Sequence, residues 1–297
     1  MGPTASGKTG LALDLAAHLP IEIVSVDSAQ VYRGMDIGTA KPTAAMQAQV
    51  PHHLLDLLDP TEAYSAARFC TDTLTAIASI RARGRIPLLA GGTMLYFKAL
   101  SEGLSELPKA DAALRSRLTT EAQQQGWPAL HERLKRCDPV TAARLNPNDG
   151  QRIQRALEIF ELTGRSAADL HSVGRSSALA GPVLKLALSP PQRGELHERI
   201  RRRFLQMLDD GFLDEVKALK ARGDLHAELP SMRAVGYRQW WSHLDGEYSY
   251  DEAIERGVAA TRQYAKRQIT WLRSMADVTL LDPTEPALCQ RVLRLLD

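Results

Sequence analysis

The stretch that decides the fold is GPTASGKT, residues 2–9, which fits the pattern G-x-x-x-x-G-K-[ST] at every fixed position. Glycines let such a loop curl so that successive backbone N–H groups point inward at an anion. Lys8 adds a positive charge for a phosphate, and Thr9 offers a hydroxyl oxygen to Mg²⁺. The apolar spacing of residues 11–19 predicts a helix whose positive N-terminus lies beneath the phosphates. The predicted phosphate-binding residues are Gly2, Pro3, Thr4, Ala5, Ser6, Gly7, Lys8 and Thr9.

The segment in front of this loop departs from the usual pattern. A phosphate-binding loop of this kind follows a buried strand, but only Met1 precedes it here. Either an N-terminal segment is missing, or the protein lacks a strand that is normally central. We favour the missing segment, and mass spectrometry of the native N-terminus would decide between the two.

Composition limits the class of protein. With 297 residues, 44% hydrophobic and 24% charged, the chain is typical of a soluble globular protein, and its net charge of +2 indicates no partner. Cys70, Cys137 and Cys289 are widely spaced and form no C-x-x-C motif, which predicts reduced thiols in the cytoplasm. No apolar run reaches membrane-spanning length, and no signal peptide is visible.

The order of the patterns predicts the architecture. Short apolar runs such as 21–26 and 86–90 alternate with helical patterns, which favours a parallel α/β sheet. Residues 109–175 contain only helical patterns, and two further strands are predicted at 183–189 and 278–281. A long helix is predicted from residue 250 to about 274, with Ser249 and Glu252 as its capping box. We therefore predict a P-loop NTPase-like parallel sheet flanked by helices. Its two core parts are 1–108 and 176–297, and they are separated by an all-helical insertion at 109–175.

The loop after the first apolar run carries a second group of functional candidates. DSAQVYRGMDIGTAKP, residues 27–42, follows the strand predicted at 21–26. Ligands of open α/β sheets bind at the carboxyl ends of the strands, so Asp27 could bind Mg²⁺ or act as a general base. The alternative is a surface turn in which Asp27 and Ser28 only cap backbone groups.

The second clear strand lacks the acidic residue that ATP hydrolysis requires. P-loop ATPases place an aspartate for Mg²⁺ after such a strand, but IPLLA is followed by Gly91, Gly92 and Thr93. The loop is therefore expected to bind phosphates without ordinary ATP hydrolysis. The glycines predict either a close substrate approach or simply a tight turn.

Basic and aromatic residues recur in three later segments. These are QRIQR at 151–155, RAVGYR at 233–238 and TRQYAKRQITWLR at 261–273. Arginine and lysine beside aromatic rings suit looped RNA, whose phosphates need cations and whose bases stack. Any one segment alone is more often a solvated helix face. The arginine row in IRRRF, 200–204, could bind a pyrophosphate or simply face solvent.

In this combination and order, the chain resembles the tRNA dimethylallyltransferases over nearly its whole length. The resemblance is carried by GPTASGKT, DSAQVYRGMDIGTAKP, PHHLLD, GGTMLY, PNDGQRIQRALE, RAVGYR and TRQYAKRQITWLR. It implies transfer of a dimethylallyl group from its diphosphate to the N6 amine of the adenosine 3′ of certain anticodons. The glycine-rich loop would then hold a diphosphate leaving group instead of ATP.

The resemblance also implies roles for particular residues. Asp27 would be the general base, Thr9 would hold Mg²⁺, and Arg203 would stabilise the leaving diphosphate. The implied tRNA-binding residues are Asp27, Ser28, Ala29, Gln30, Thr93, Arg115, Gln151, Arg152, Ile153, Gln154, Arg155, Arg233, Ala234, Val235, Gly236, Tyr237 and Arg238. The adenine would be flipped into a channel, while the helical insertion clasps the anticodon stem-loop. A cytoplasmic monomer with no membrane contact is expected.

Three alternatives share some of these features. A P-loop kinase would turn over ATP with a small acceptor, but the missing carboxylate and the basic segments count against it. A non-catalytic RNA-binding module would not need Asp27 or the glycine-rich loop. A prenyltransferase acting on free adenine nucleotides would share the core, although the RNA-suited segments argue against it.

Overall fold

The computed structural model describes residues 1–105, 107–172 and 179–296. Its contacts divide the chain into two compact units, Met1–Ser101 with Ala178–Asp297, and Glu102–Ser177. The domain limit predicted after residue 108 stays a prediction, and the limit predicted after residue 175 lies outside the described residues. Within the described ranges, no helix is both long and apolar enough to cross a bilayer.

Among the described residues, five strands with parallel pairing confirm a mixed α/β fold. The strands are β1 Ile21–Val26, β2 His52–His53, β3 Ile86–Gly91, β4 Leu186–Leu188 and β5 Thr279–Leu281. One sheet has the order β2-β1-β3, and β4 pairs with β5 in a second sheet. β1 is buried at all six positions and pairs in register with all of β3, from Ile21↔Ile86 to Val26↔Gly91. The residues that follow β1 and β3 therefore meet at one edge.

The single flanked sheet expected from the sequence is divided in two in the structure. The apolar run at 183–189 yields only the three residues of β4, because just this part pairs with β5. The backbone of Met1 lies beside β4, since Met1 N donates to Leu186 O at 2.7 Å and Leu188 N donates to Met1 O at 2.9 Å. The chain entering the glycine-rich loop (residues 2–9) therefore runs alongside a strand.

Helices make up most of the remaining described residues. They are α1 Lys8–Ala16, α2 Ala44–Gln49, α3 Ala66–Ala82, α4 Met94–Glu102, α5 Ala112–Gln125, α6 Trp127–Cys137, α7 Pro139–Ala142, α8 Gly150–Thr163, α9 Ala167–Ser172, α10 Arg193–Asp209, α11 Phe212–Ala221, α12 Tyr237–Leu244, α13 Tyr250–Ser274 and α14 Leu288–Leu293. α1 ends before Leu19, which was expected in its third turn. α13 confirms the long helix predicted from residue 250, and Ser249 caps it by accepting from the Glu252 N–H at 3.2 Å.

Helices α5 to α9 form the second unit around a small apolar core. Leu118, Leu134, Ile153 and Leu157 are almost completely excluded from solvent there. α8 combines a glycine C-cap, Gly164, with an apolar face that packs against α5 and α6. The helical character predicted for this segment is confirmed, while its role as an insertion that clasps RNA stays a prediction.

A buried ion cluster fixes β1 to its neighbours and yields a stability prediction. Glu22 lies on β1, and only 4% of its side chain is exposed. Its Oε2 atom accepts a hydrogen bond from Arg83 Nη2 at 2.6 Å and lies 2.7 Å from His53 Nε2. The Arg83 hydrogen bond, assisted by His53, lowers the pKa of Glu22 from 4.5 to about 2. We expect Glu22→Gln to lower the free energy of unfolding by about 2 kcal/mol at pH 7.

The pH dependence of this loss follows from the direction of the shift. Because the folded pKa of Glu22 is below the unfolded value, its contribution is complete above pH 4.5 and disappears as the pH falls toward 2. Urea unfolding at pH 7 and pH 3 should therefore show a smaller difference between wild type and variant at the lower pH. Glu255→Gln, at an exposed ion pair with Arg201, is the control. An equal loss of unfolding free energy in Glu22→Gln at both pH values would contradict the lowered pKa of Glu22.

Candidate functional site

A cavity of about 450 Å³ lies within the first unit, at the edge where β1 and β3 end. Most of its wall comes from five segments: the glycine-rich loop, the loop after β1 (residues 27–42), α10, residues 230–237 and α13. Residues of α1, β1, β2, β3 and α11 complete it. The glycine-rich loop carries the residues predicted to bind phosphate, and the loop after β1 carries Asp27, the predicted base. The cavity therefore brings together residues that are far apart in the chain.

The glycine-rich loop is curled tightly at the start of α1. Gly7 is in the left-handed region with φ 87°, and Ala5 also has a positive φ of 60°. Ser6 N donates to Pro3 O at 3.3 Å, and Lys8 Nζ donates to the same oxygen at 2.5 Å. Since α1 begins at Lys8, the positive end of the helix lies at the cavity wall. This geometry can bind an anion.

Two cationic side chains, Lys8 and Arg203, line this wall, and neither forms an ion pair among the residues that the structure describes. Burial, and next the positive charge of Arg203, lower the pKa of Lys8 to about 7, although Asp27 partly offsets the shift. Burial also lowers the pKa of Arg203, which has no ion pair in the described part of the chain. An anionic ligand would relieve the repulsion between the two side chains. The site is therefore suited to a group with more than one negative charge.

Asp27 is oriented by its own loop. Its Oδ1 accepts from Ala29 N at 2.9 Å and from Gln30 N at 3.4 Å, so the capping interpretation of this residue is also correct. Its other oxygen, Oδ2, has no hydrogen-bond donor among the described residues. Ser28 N donates to Thr93 Oγ1 at 3.1 Å, which joins the loop to the end of β3. Asp27 is thus held in place with one carboxylate oxygen available to accept a proton.

The loop after β1 is stabilised mainly by its own side chains. Gln30 Nε2 donates to Thr39 O at 3.3 Å and to Ala40 O at 3.1 Å, while Ser25 donates to Gln30 Oε1 at 2.8 Å. The nearly buried Lys41 bonds Tyr32 O, at 2.8 Å. The tRNA contact predicted for Gln30 stays a prediction, but its amide is already fully engaged within the protein.

Glu215 on α11 connects this loop with the segment RAVGYR. Its carboxylate accepts from the backbone N–H groups of Asp36, Ile37 and Gly38 at 2.7–3.1 Å, and from the Tyr237 hydroxyl at 2.5 Å. Sequence analysis missed Glu215, because a glutamate in the first turn of a helix is usually explained by the helix dipole.

The segment RAVGYR contributes to the cavity, but not in the way expected. Arg233, Ala234 and Val235 line the cavity, and Arg238 is exposed on α12. Gly236 has φ 92°, a conformation that favours glycine. The ring of Tyr237 is fully buried, so the expectation that it offers a stacking face to an RNA base is wrong in this conformation.

α13 presents a polar face to the cavity. Thr261, Tyr264 and Gln268, at i, i+3 and i+7, all line it, as does the exposed Arg267. The sequence interpretation treated this helix as a basic RNA-binding surface and missed Gln268. Polar residues at helical spacing on an otherwise apolar face were the signal that could have identified it.

The predicted tRNA-binding residues of the second unit are mostly engaged within that unit. Arg115 forms a bidentate pair with the buried Glu158 at 2.8 and 3.0 Å, and Arg155 bonds the same carboxylate at 2.5 Å. Ile153 is fully buried, so its side chain belongs to the core. Gln151 and Arg152 are the exposed members of this set. The tRNA contacts predicted for this set stay predictions, and the Arg115 and Arg155 side chains remain 42% and 30% exposed beside Glu158.

The cavity fits Mg²⁺ only as part of a complex with phosphates. The described residues contain no cluster of three or more His, Cys, Asp or Glu that could hold a metal ion. Thr9 lines the cavity, and its hydroxyl has no hydrogen-bond partner in the described ranges. Mg²⁺ commonly takes one or two protein oxygens and completes its shell with water and substrate phosphates. The residues present are compatible with that mode of binding.

Comparison with known proteins identifies similar sequences and structures over the whole chain. The family model described as IPP transferase matches residues 30–275. The tRNA dimethylallyltransferase of Alkalilimnicola ehrlichii is 64% identical over 94% of this chain and 88% of its own length. That of Paraburkholderia xenovorans is 57% identical over 100% of this chain and 95% of its own length. A tRNA isopentenylpyrophosphate transferase structure from Bacillus halodurans is 40% identical, with a TM-score of 0.71 over 99% and 92% of the chains. The structure of a eukaryotic dimethylallyltransferase acting on tRNA is 30% identical, with a TM-score of 0.77, and the match covers 96% of this chain and 73% of that one.

Proposed function

The chain belongs to the IPP transferase family, and from this premise we propose that it is a tRNA dimethylallyltransferase. It transfers a dimethylallyl group from dimethylallyl diphosphate to N6 of the adenosine 3′ of the anticodon in certain tRNAs. The products are N6-(dimethylallyl)adenosine and diphosphate. The observation that carries the proposal is the meeting of Lys8, Arg203 and Asp27 at one cavity, because the reaction needs a diphosphate site beside a base.

On the donor side, the glycine-rich loop acts as a P-loop that holds the diphosphate. Its N–H groups and the start of α1 face the phosphate oxygens, with Lys8 and Arg203 adding positive charge. When the bond between C1 and the bridging oxygen breaks, the electron pair leaves with the diphosphate. Thr9 would hold Mg²⁺, which supplies further positive charge to the same oxygens.

On the acceptor side, Asp27 acts as general base. The N6 nitrogen forms a bond to C1 of the dimethylallyl group, and its proton passes to Asp27 Oδ2. The hydrogen bonds from Ala29 and Gln30 hold the other carboxylate oxygen, so the base does not need to reorient. The adenine reaches the cavity by leaving the anticodon stack.

A product assay tests this function directly. The protein is incubated with Mg²⁺, dimethylallyl diphosphate and an anticodon stem-loop, and the RNA is digested for mass spectrometry. We expect one added dimethylallyl group on N6 of the adenosine 3′ of the anticodon, and none when guanosine replaces that adenosine. ATP-dependent phosphorylation of a small acceptor without any prenyl transfer would support a kinase instead.

The exposed arginines at the cavity provide a test of RNA binding. Arg233 and Arg267 line the cavity and are exposed, so we propose that they neutralise phosphates of the stem-loop. Replacing both by alanine should weaken tRNA binding and reduce the slope of log K against log salt concentration by about 2. Arg294→Ala, an exposed arginine on the turn after α14, is the control. An unchanged slope in the double variant would assign both side chains to solvent.

The remaining features of the proposal concern the whole chain. We propose a cytoplasmic monomer, and the three free thiols are consistent with the cytoplasm. The tRNA contacts also include Ser28, Ala29 and Thr93 at the sheet edge. In the helical unit, Gln151 and Arg152 would meet the anticodon stem.

A further inference from the structure

Gln268 connects two parts of the cavity through a single buried amide. Its side chain is on the inner face of α13, where the residue is only 4% exposed. Gln268 Oε1 accepts from Thr4 N at 2.8 Å, and Gln268 Nε2 donates to Gly92 O at 2.8 Å. One amide therefore joins the glycine-rich loop to the residue that follows β3.

The contact with Gly92 is too close for any other residue. A Cβ atom at position 92 would lie 2.3 Å from Gln268 Nε2 and 3.4 Å from Gly2 O. Glycine at 92 thus allows the end of β3 to approach both α13 and the glycine-rich loop. This connection requires both residues, because a side chain at position 92 or a shorter side chain at position 268 would break the hydrogen bond between Gln268 and Gly92.

The next residue extends this connection to the base. Thr93 N donates to Val26 O at 3.2 Å, and Thr93 Oγ1 accepts from Ser28 N at 3.1 Å. A continuous path therefore runs from Thr4 through Gln268, Gly92 and Thr93 to Ser28, which is covalently bonded to Asp27. The loop that holds the leaving group and the loop that carries the base are linked through it.

We propose that Gln268 is a positioning residue that fixes the distance between the diphosphate site and Asp27, an inference that rests on the proposed function. It acts through Thr4 and Gly92. Displacement at C1 requires the leaving oxygen and the attacking nitrogen to lie on opposite sides of one carbon. An error of about 1 Å in such an arrangement can lower the rate about a hundredfold. Gln268 thereby holds the glycine-rich loop and the loop after β1 at a fixed distance from each other.

The chemistry of the amide explains why glutamine is needed here. Only a side chain with both a donor and an acceptor can bond the Thr4 N–H and the Gly92 carbonyl at once. A glutamate could still accept from Thr4 N but could not donate to Gly92 O when ionised. A methionine of similar length could do neither. The two substitutions therefore remove one bond or both, with little change in volume.

The test compares Gln268→Met and Gln268→Glu with Gln263→Met, a matched change at an exposed glutamine on the same helix. We expect kcat at saturating concentrations of both substrates to fall about a hundredfold in Gln268→Met and about tenfold in Gln268→Glu. The Kd for the stem-loop should stay within about twofold in all three variants. Hydrogen exchange should become faster at the Thr4 amide in Gln268→Met.

Other results would overturn either the role of Gln268 or the proposed function. A kcat in Gln268→Met equal to that of Gln263→Met, or unchanged exchange at Thr4, would overturn the inference. So would a loss that disappears at saturating donor, because a purely structural role in the loop weakens binding and leaves kcat intact. If Gln268→Met does not fold, an unchanged kcat in Gln268→Glu overturns the inference on its own. A wild-type protein that forms no prenylated RNA instead overturns the proposed function.

Discussion

Asp27→Asn is expected to lower kcat about a thousandfold, because a general base in this position is replaced by an amide that cannot accept the N6 proton. The asparagine oxygen can still accept from Ala29 N, so the loop after β1 should keep its conformation. The affinity for the stem-loop is therefore expected to change less than about threefold. The substitution separates proton transfer from RNA binding.

Single-turnover kinetics with preformed protein–RNA complex measure this effect without interference from product release. Asp36→Asn is the matched control, because Asp36 belongs to the same loop, is exposed, and is paired with Lys41 at its surface. A single-turnover rate constant of Asp27→Asn equal to that of Asp36→Asn would remove Asp27 as the base. A loss of tRNA affinity as large as the loss of rate would make Asp27 a binding residue instead.

Arg203→Ala is expected to lower kcat between about a hundredfold and a thousandfold, the typical cost of removing one group that stabilises developing negative charge. The same substitution should not destabilise the protein. Burial disfavours the charged guanidinium, and its repulsion of Lys8 disappears with it. We therefore expect the rate to fall while the melting temperature is unchanged or higher, as is common at sites where function opposes stability.

Arg202→Ala tests whether this effect is specific to the cavity. Arg202 is the preceding residue of α10, but it is exposed and does not line the cavity. Its removal should leave both kcat and the melting temperature close to those of the wild type. If Arg203→Ala retained full kcat, or lost stability and rate together, the assignment of Arg203 to the leaving diphosphate would be refuted.

Much of the local structure could be predicted from the sequence. β1, β3 and α13 lie where the apolar patterns placed them, because burial periodicity and the cap at Ser249 are short-range signals. The family was recognised from motifs in order, and the comparisons confirm it. Asp27, Lys8 and Arg203 were singled out and do meet at one cavity, while their roles remain to be tested.

For other residues the structure shows a partner inside the protein that the sequence did not reveal. Arg115 and Arg155 looked available for RNA, but a buried carboxylate at position 158 binds both. Tyr237 looked like a stacking platform, but its ring is in the core and its hydroxyl binds Glu215. A local pattern indicates that a residue is basic or aromatic, but not which groups the fold places beside it.

The sequence by itself therefore determined the glycine-rich motif, the places of β1, β3 and α13, and the family. These depend on residue types within one or two turns of the chain. Only the tertiary structure decided the ties between Gln268 and both Thr4 and Gly92, across 264 and 176 positions, and the junction at Glu215. The physical reason is that a buried polar group must find its partner wherever packing places one, and packing depends on the whole chain.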